Sequence, residues 1–268
     1  MVYQRFIEFA ALSDTGLVRE HNEDAIVVCS DYGCVILADG MGGYNAGEVA
    51  SAMTAQIVAD FLCNKLDGIW FPVWGLRPAH FAHWVIDAIA LANRQVMLAA
   101  QNNAACVGMG TTIALACCLH DKLIVAHVGD SRVYRYRSGV LERMTQDHSV
   151  LQEQINAGHI SEADARFSNI RNLITRAVGT QATVDVDVSI HPMRESDLYM
   201  ICSDGLTDML SHDEIQSILR LQATNLSECC QSLIDSANRN GGMDNSSVVL
   251  FKAETLQGSS LLQKIFFR

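Results

Sequence analysis

Residues 111–144 read TTIALACCLHDKLIVAHVGDSRVYRYRSGVLERM and decide the fold class. Tight turns are expected at 120–122 and 137–139, between short runs of apolar and β-branched residues. Such runs, divided by turn residues, predict β-strands. The four predicted strands are 111–118, 123–128, 133–136 and 140–144. Their close succession predicts an antiparallel meander.

Further elements are predicted on both sides of this block. Alternating or apolar runs predict strands at 6–12, 25–29, 34–38, 184–191, 198–202 and 246–252. Helical spacing of apolar residues predicts helices at 46–66, 79–101, 211–221 and 227–240, and a broken helical stretch at 149–172. Strands in two blocks and helices in two pairs, without regular β-α alternation, favour an α+β fold. The expected architecture is a four-layer α-β-β-α sandwich of two antiparallel sheets flanked by helix pairs.

The composition excludes several classes of protein. The chain has 268 residues, 49% of them hydrophobic, and a formal net charge of −11. This charge disfavours nonspecific binding to nucleic acid or to anionic lipid, since both require a basic surface. We expect one catalytic domain at 1–255 and a short C-terminal tail at 256–268.

The same sequence carries no recognisable targeting or membrane segment. The start of the chain lacks a basic stretch followed by an apolar signal core, and no run of about eighteen apolar residues occurs. Nine cysteines are present without a CxxC spacing, which disfavours a zinc site. A cytoplasmic protein with reduced cysteines and no transmembrane segment is expected.

Five acidic motifs follow one another along the chain. They are REHNED at 19–24, DGMGG at 39–43, GDSR at 129–132, SDGLTD at 203–208 and GMDN at 242–245. Several follow predicted strands, so their carboxylates lie near strand ends. Hard divalent cations prefer oxygen ligands, and carboxylates that converge in this way can hold a pair of them. The pattern predicts metal-assisted hydrolysis.

These motifs, in this order, resemble those of the metal-dependent Ser/Thr protein phosphatases of the protein phosphatase 2C family, in its compact bacterial form. The resemblance covers residues 5–253. It implies hydrolysis of phosphoserine and phosphothreonine on proteins by a metal-bridging hydroxide, reversing the action of a cognate Ser/Thr kinase. It also implies two Mn²⁺ or Mg²⁺ ions, with a third in bacterial members.

The resemblance also implies roles for individual residues. Asp39, Arg19 and Asp204 are the expected catalytic residues. Asp39 resembles the acid that bridges two metals, and Arg19 resembles the arginine that binds the substrate phosphate. The remaining expected metal ligands are the Gly40 carbonyl, Asp204, Asp244 and, in the hydrated shell of the second metal, Asp24. Asp130 is either an acid of a third metal site or a turn-capping aspartate.

Residues around these acids are expected to support them. Asn22 and Glu23 are predicted to orient Asp24, and Asn245 to orient Asp244. Asp147 and Asp208 fall in stretches that resemble the family, and both are interpreted as structural caps. Many eukaryotic relatives have a proton-donating histidine where this chain has Met41, so a metal-bound water or His21 is the expected proton donor.

Some alternatives stay open at this stage. The same site chemistry suits a phosphatase of small phosphorylated metabolites, and a catalytically inactive fold-mate that binds phosphoproteins is a further possibility. The Trp-rich stretch 68–78 either caps a helix pair or binds a ligand. The tail either docks or frays, or it anchors the chain to a membrane surface or a partner. A monomer is expected, with phosphoproteins as substrates.

Overall fold

The computed structural model describes residues 5–42, 46–68, 75–161, 164 and 173–255. Several predicted features lie outside the described residues. They are Gly43 of the DGMGG motif, residues 69–74 of the Trp-rich stretch, residues 162–163 and 165–172 of the broken helical stretch, and the tail from residue 256.

Eleven strands form two antiparallel sheets over this part of the chain. In spatial order, the first sheet contains β1 (Arg5–Asp14), β11 (Ser246–Thr255), β10 (Leu198–Cys202), β7 (Arg132–Arg137) and β8 (Val140–Arg143). The second contains β2 (Asp24–Cys29), β3 (Cys34–Met41), β5 (Ile113–Leu119), β6 (Lys122–Val128) and β9 (Asp187–Pro192), and the short β4 (Gly110–Thr111) pairs with the end of β3.

Helices cover the outer faces of both sheets. They are α1 (Ala46–Asp67), α2 (Pro78–Asn102), α3 (Val150–Asn156), α4 (Asp204–Met209), α5 (His212–Gln222) and α6 (Leu226–Arg239). Side chains alternate between the two faces of a strand, and β3 shows the result. Ile36 packs in a cluster with α1 and α2, whereas Leu37 packs against Tyr199 of the other sheet. A third cluster joins the first sheet to α4, α5 and α6. The predicted four-layer α-β-β-α sandwich is confirmed.

The predicted meander over 111–144 is wrong. β5 pairs with β6 in the second sheet, whereas β7 pairs with β8 in the first, so the chain changes sheets at residues 129–131. Gly129 makes this crossing with φ +100°, and a β-carbon there would lie 2.7 Å from the Thr112 Cγ2 atom. Local patterns identified both hairpins correctly, but strand propensity carries no information about which sheet a hairpin joins.

The helix predictions needed smaller corrections. Residues 204–209, interpreted only as a site motif, form α4. The helical stretch expected at 149–172 contains α3, whose first turn is capped by the Ser149 hydroxyl accepting from the Gln152 N–H at 3.2 Å. Ser211 caps α5 in a reciprocal capping box with Glu214.

The cysteine prediction needs a correction. Cys34 and Cys117 form a disulfide in the structure, although all nine cysteines were expected to be reduced. The two residues are direct partners in the β3·β5 register, with Cα atoms 4.1 Å apart, so strand pairing brings them together. Among the helices in the described ranges, none has the length and apolar character to cross a membrane.

Candidate active site

The acidic motifs meet where the two sheets end at the same edge of the sandwich. Asp24 begins β2 and lies directly opposite Asp39 of β3 in the strand register. Asp204 follows β10 as the first residue of α4, and Asp244 comes just before β11. Asp130 lies at the crossing between β6 and β7. Acids more than 200 positions apart in sequence are therefore brought together.

A cleft of about 220 Å³ lies among these residues. Every predicted site residue except Asp24 lines it, namely Arg19, Asp39, Gly40, Asp130, Asp204 and Asp244. Met41 and Glu23 line it as well. Five carboxylates and one guanidinium thus face one small volume.

Asp24 lies behind the cleft rather than on it. Its Oδ2 atom accepts a hydrogen bond from the Ser203 hydroxyl at 2.8 Å, while its Oδ1 atom is buried with no hydrogen-bond partner. Burial raises the pKa of Asp24 to about 7. A buried carboxylate oxygen without a partner is costly unless a cation or a proton satisfies it.

Glu23 is the residue whose position the sequence did not reveal. It was expected only to orient Asp24, but its carboxylate lies on the cleft and packs against Gly47 of α1. A β-carbon on Gly47 would lie 2.7 to 2.8 Å from the Glu23 carboxylate atoms, so only glycine permits this approach. Burial raises the pKa of Glu23. Glu23 is therefore positioned as a further candidate ligand.

The surroundings of the other acids in the cleft also disfavour a negative charge that has no counterion. Burial, followed by the nearby charge of Asp24, raises the pKa of Asp39 well above its usual range. Burial and the charge of Asp204 raise the pKa of Asp130 to about 8. Burial and the charge of Asp208 raise the pKa of Asp204 to about 6. Like charges crowded in a low-dielectric cleft favour binding of cations that neutralise them.

The donor set fits hard divalent cations. The clustered carboxylates offer oxygen, and the Gly40 carbonyl belongs to the end of β3, which lies too close to α1 for any side chain. A β-carbon on Gly40 would lie 2.1 Å from the Gly47 carbonyl oxygen. Oxygen-only ligands suit Mg²⁺ and Mn²⁺ rather than zinc or copper. The unpartnered Asp24 Oδ1 atom and the raised carboxyl pKa values agree with this fit.

Arg19 stands at the mouth of the cleft. Its Nη2 atom donates to Asp244 Oδ2 at 2.6 Å, and its side chain is 51% exposed. The hydrogen bond to Asp244 raises the pKa of Arg19 further, so the guanidinium is always charged. An exposed guanidinium next to the carboxylate cluster is placed to bind two oxygens of an incoming phosphoryl group.

Asn245 connects three segments of the site. Its Oδ1 atom accepts from the Glu23 N–H at 2.8 Å, and its Nδ2 atom donates to the carbonyls of Thr15 and His21, both at 2.9 Å. Its own backbone N–H donates to Asp244 Oδ1 at 2.9 Å, which agrees with the predicted orienting role. This one amide side chain therefore holds the loop that carries Arg19 and Glu23 beside Asp244.

A larger groove of about 760 Å³ adjoins the cleft and shares Asp130 and Asp204 with it. Asp208 lines this groove, so its interpretation as a simple cap is incomplete. Asp147 lies there in an ion pair with Arg132 at 2.7 Å, which fits its predicted structural role.

A second cluster of metal-type side chains, which the sequence did not suggest, comprises His127, His148 and Asp187. The two imidazole rings stack with centroids 4.5 Å apart, and the His127 Nε2 atom already lies 2.7 Å from the Gln146 carbonyl oxygen. The Arg176 Nη1 atom lies 3.1 Å from Asp187 and already neutralises it. His148 accepts from the Gly129 N–H through Nδ1 at 3.2 Å, so this cluster supports the turn before Asp130.

Comparison with known proteins agrees with this site. Residues 38–246 match the family described as protein phosphatase 2C. A Listeria monocytogenes protein named serine/threonine phosphatase stp is 36% identical over 249 residues, which cover 91% of this chain and 95% of that protein. The crystal structure of the serine/threonine phosphatase Stp1 from Staphylococcus aureus is 31% identical, with a TM-score of 0.83 over 95% of this chain and 98% of that one.

A further solved relative bears on the cations. The catalytic domain of the serine/threonine protein phosphatase PstP, described in complex with two manganese ions, is 31% identical. Its TM-score is 0.80 over 93% of this chain and 99% of that one. The fold, the order of the acidic motifs and these likenesses agree over nearly the whole described structure, and the chain therefore belongs to the protein phosphatase 2C family.

Proposed function

We propose that this protein hydrolyses phosphoserine and phosphothreonine on proteins with the help of two divalent cations, Mn²⁺ or Mg²⁺. The observation that supports this most directly is the convergence of five carboxylates and Arg19 on one cleft of about 220 Å³. A pair of such cations, when bound, lowers the pKa of a water so that it can attack phosphorus at neutral pH.

The roles of the residues follow from their places around the cleft. Asp39 lines the cleft opposite Asp24 of the adjacent strand and close to the charges of Asp204 and Asp130, and its carboxylate would be a ligand of both cations. Asp204, Asp244, Glu23 and the Gly40 carbonyl would complete the ligand set. Asp24 pairs with Asp39 in the strand register but does not line the cleft. Its charge and its unpartnered Oδ1 atom would therefore act on the cations indirectly.

Arg19 would bind the phosphoryl group at the mouth. Asp244 Oδ2 accepts from Arg19 in the structure. Once Asp244 is engaged as a ligand, the half-exposed guanidinium is free to turn towards phosphate. Asp130, at the far wall and close to Asp208 and the groove, is the candidate for a third cation. Met41 lines the cleft but carries no proton to donate, so leaving-group protonation falls to water.

The wider setting of the enzyme is part of the same proposal. Residues 1–255 would be the single catalytic domain, with 256–268 as a tail outside it. We expect a monomer in the cytoplasm that reverses the action of a Ser/Thr kinase. Sedimentation of the purified chain tests the monomer, and cell fractionation tests the location.

Purified protein with Mn²⁺ is expected to hydrolyse p-nitrophenyl phosphate and a phosphothreonine peptide. Asp39→Asn should abolish both activities, while Asp235→Asn, a matched change on the exposed side of α6, should leave them intact. Absence of turnover with every divalent cation, together with calorimetry that shows no cation binding, would support the inactive fold-mate. Faster turnover of sugar phosphates or nucleotides than of phosphopeptides would support a metabolite phosphatase.

A further inference from the structure

Exposed apolar side chains gather beside the phosphate-binding arginine. Among the described residues, ten large apolar side chains are exposed, and three of them adjoin Arg19 or Asp244 in sequence and in space. Leu17 is 68% exposed, Val18 57% and Met243 55%. Scattered apolar residues are normal on a surface, but a group beside a catalytic cleft indicates a binding surface.

The backbone holds this group together. The Leu17 N–H donates to the Gly242 carbonyl at 2.7 Å, and Arg19 pairs with Asp244 two residues further along each segment. The two segments therefore run side by side. Gly242, with φ +53°, has no side chain to separate them, and a β-carbon there would lie 2.8 Å from Leu17 Cγ.

Methionines extend the apolar surface over the neighbouring glycine. A β-carbon on Gly241 would lie 3.6 Å from Met243 Cγ and also 3.6 Å from Met209 Sδ, so both methionine side chains flank this turn. Met243 is exposed, whereas Met209 is partly buried against the core beneath the helices of the first sheet. Leu17, Met243 and Met209 thus follow one another across the Gly241–Gly242 turn. We call these three residues the apolar ledge.

The ledge connects the two cavities of the active site. At one end Leu17 and Met243 flank the Arg19–Asp244 pair at the mouth of the cleft. At the other end Met209 lines the 760 Å³ groove, which shares Asp130 and Asp204 with the cleft. A polypeptide whose phosphorylated residue enters the cleft has this ledge beside it.

We propose that the apolar ledge binds an apolar side chain that flanks the phosphorylated residue of a substrate protein. The substrate class would be phosphoserine and phosphothreonine segments with a leucine, isoleucine, valine, phenylalanine or methionine next to the phosphorylated residue. This inference rests on the proposed function and names its substrate preference. Methionines are flexible and polarizable, so a ledge built from them accommodates several side-chain shapes.

The test compares two phosphothreonine peptides that differ only in a leucine or a serine adjacent to the phosphothreonine, with p-nitrophenyl phosphate as a substrate too small to reach the ledge. Wild-type protein with Mn²⁺ is expected to show kcat/KM about tenfold higher for the leucine peptide, mainly through KM, because one apolar contact has about this effect. Leu17→Ser and Met243→Ser should remove the preference without changing p-nitrophenyl phosphate turnover. Leu221→Ser, at a 75% exposed position on α5, is the matched control and should retain the preference.

Every outcome of these measurements either supports or overturns the proposal. Equal kcat/KM for both peptides in the wild type, or an undiminished preference in both ledge variants, would overturn the proposal while p-nitrophenyl phosphate turnover still supported the enzyme. Equal losses on peptide and p-nitrophenyl phosphate would overturn it too, since they would place the effect at the cleft. A wild-type dimer that either ledge variant dissociates would reassign the ledge to a second copy of the chain. No turnover of any substrate would reject the proposed function itself, and the ledge proposal with it.

Discussion

Replacing Asn245 tests how the site is held together. In Asn245→Ala the Glu23 N–H and the carbonyls of Thr15 and His21 lose their partner, and the side chain that they lose is only 6% exposed. At about 1 kcal/mol for each hydrogen bond, the free energy of unfolding should fall by about 3 kcal/mol. For a domain of this size the Tm should drop by about 6 to 12 °C.

Asn245→Asp separates hydrogen bonding from side-chain size. A carboxylate can still accept from the Glu23 N–H, but it cannot donate to the two carbonyls and it adds a negative charge beside Asp244. We therefore expect a loss at least as large as that of Asn245→Ala. Gln231→Ala removes an amide side chain that makes one exposed hydrogen bond to Asp235, and it should change stability by less than about 0.5 kcal/mol.

Urea denaturation of the metal-free proteins measures these free energies, and calorimetry with Mn²⁺ measures the effect on the site. Both Asn245 variants should bind Mn²⁺ more weakly than Gln231→Ala does, because the loop that carries Glu23 loses the side chain that holds it beside Asp244. The reasoning is refuted if Asn245→Ala stays within about 1 kcal/mol of the wild type, or if Asn245→Asp is as stable as the wild type.

Two further predictions concern the same edge of the sandwich. Because burial raises the pKa of Asp24 to about 7 and that of Asp130 to about 8, the folded metal-free protein retains protons that the unfolded chain releases above about pH 4. The stability of the protein in EDTA should therefore fall as the pH rises from about 4 to 8. Asp24→Asn should raise the Tm in EDTA at pH 8. A Tm that rises with pH over this range would contradict the raised pKa values of these carboxyl groups. His148→Leu leaves the Gly129 N–H without its acceptor, whereas the Oδ1 atom of His148→Asn can replace Nδ1. The leucine variant should lose about 1 to 3 kcal/mol more in urea denaturation, and equal losses would show that the contact is unimportant.

The periodicity of apolar residues was sufficient to predict most helices and strands and the four-layer arrangement. The apolar spacing of α1 and α2 and the alternation along β3 each report a local property, namely which side chains face a core. The bounds of these three elements in the structure differ from the predicted bounds by three residues at most. The pairing of hairpins is not local, which is why the strands at 111–144 were assigned to one meander although Gly129 sends β7 to the other sheet.

For the candidate site, the agreement between the sequence predictions and the structure differs from residue to residue. The resemblance to the family implied Asp39, Asp204 and Asp244 as ligands, and all three line the cleft. Asp24 was expected as a ligand and Glu23 as its support, but Glu23 lines the cleft and Asp24 does not. Neighbouring residues at a strand end point to opposite faces, and the sequence does not say which face is the cleft. The Cys34–Cys117 bridge likewise depends on the β3·β5 register, across 83 residues of sequence.

The placement of the acids on both sheets has a consequence for folding. Glu23, Asp24 and Asp39 belong to one sheet, and Asp204 and Asp244 adjoin strands of the other, so their mutual repulsion pushes the two halves of the sandwich apart. Cations that bind between them would act as a cross-link whose strength depends on how closely the sheets are docked. Docking of the two sheets and binding of the cations are linked equilibria. Any change that loosens the packing between the sheets therefore also lowers the affinity for the cations. Conservative changes at Tyr199 or Phe251, which are buried between the sheets and do not line the cleft, would then be detected first as a higher Mn²⁺ concentration needed for activity.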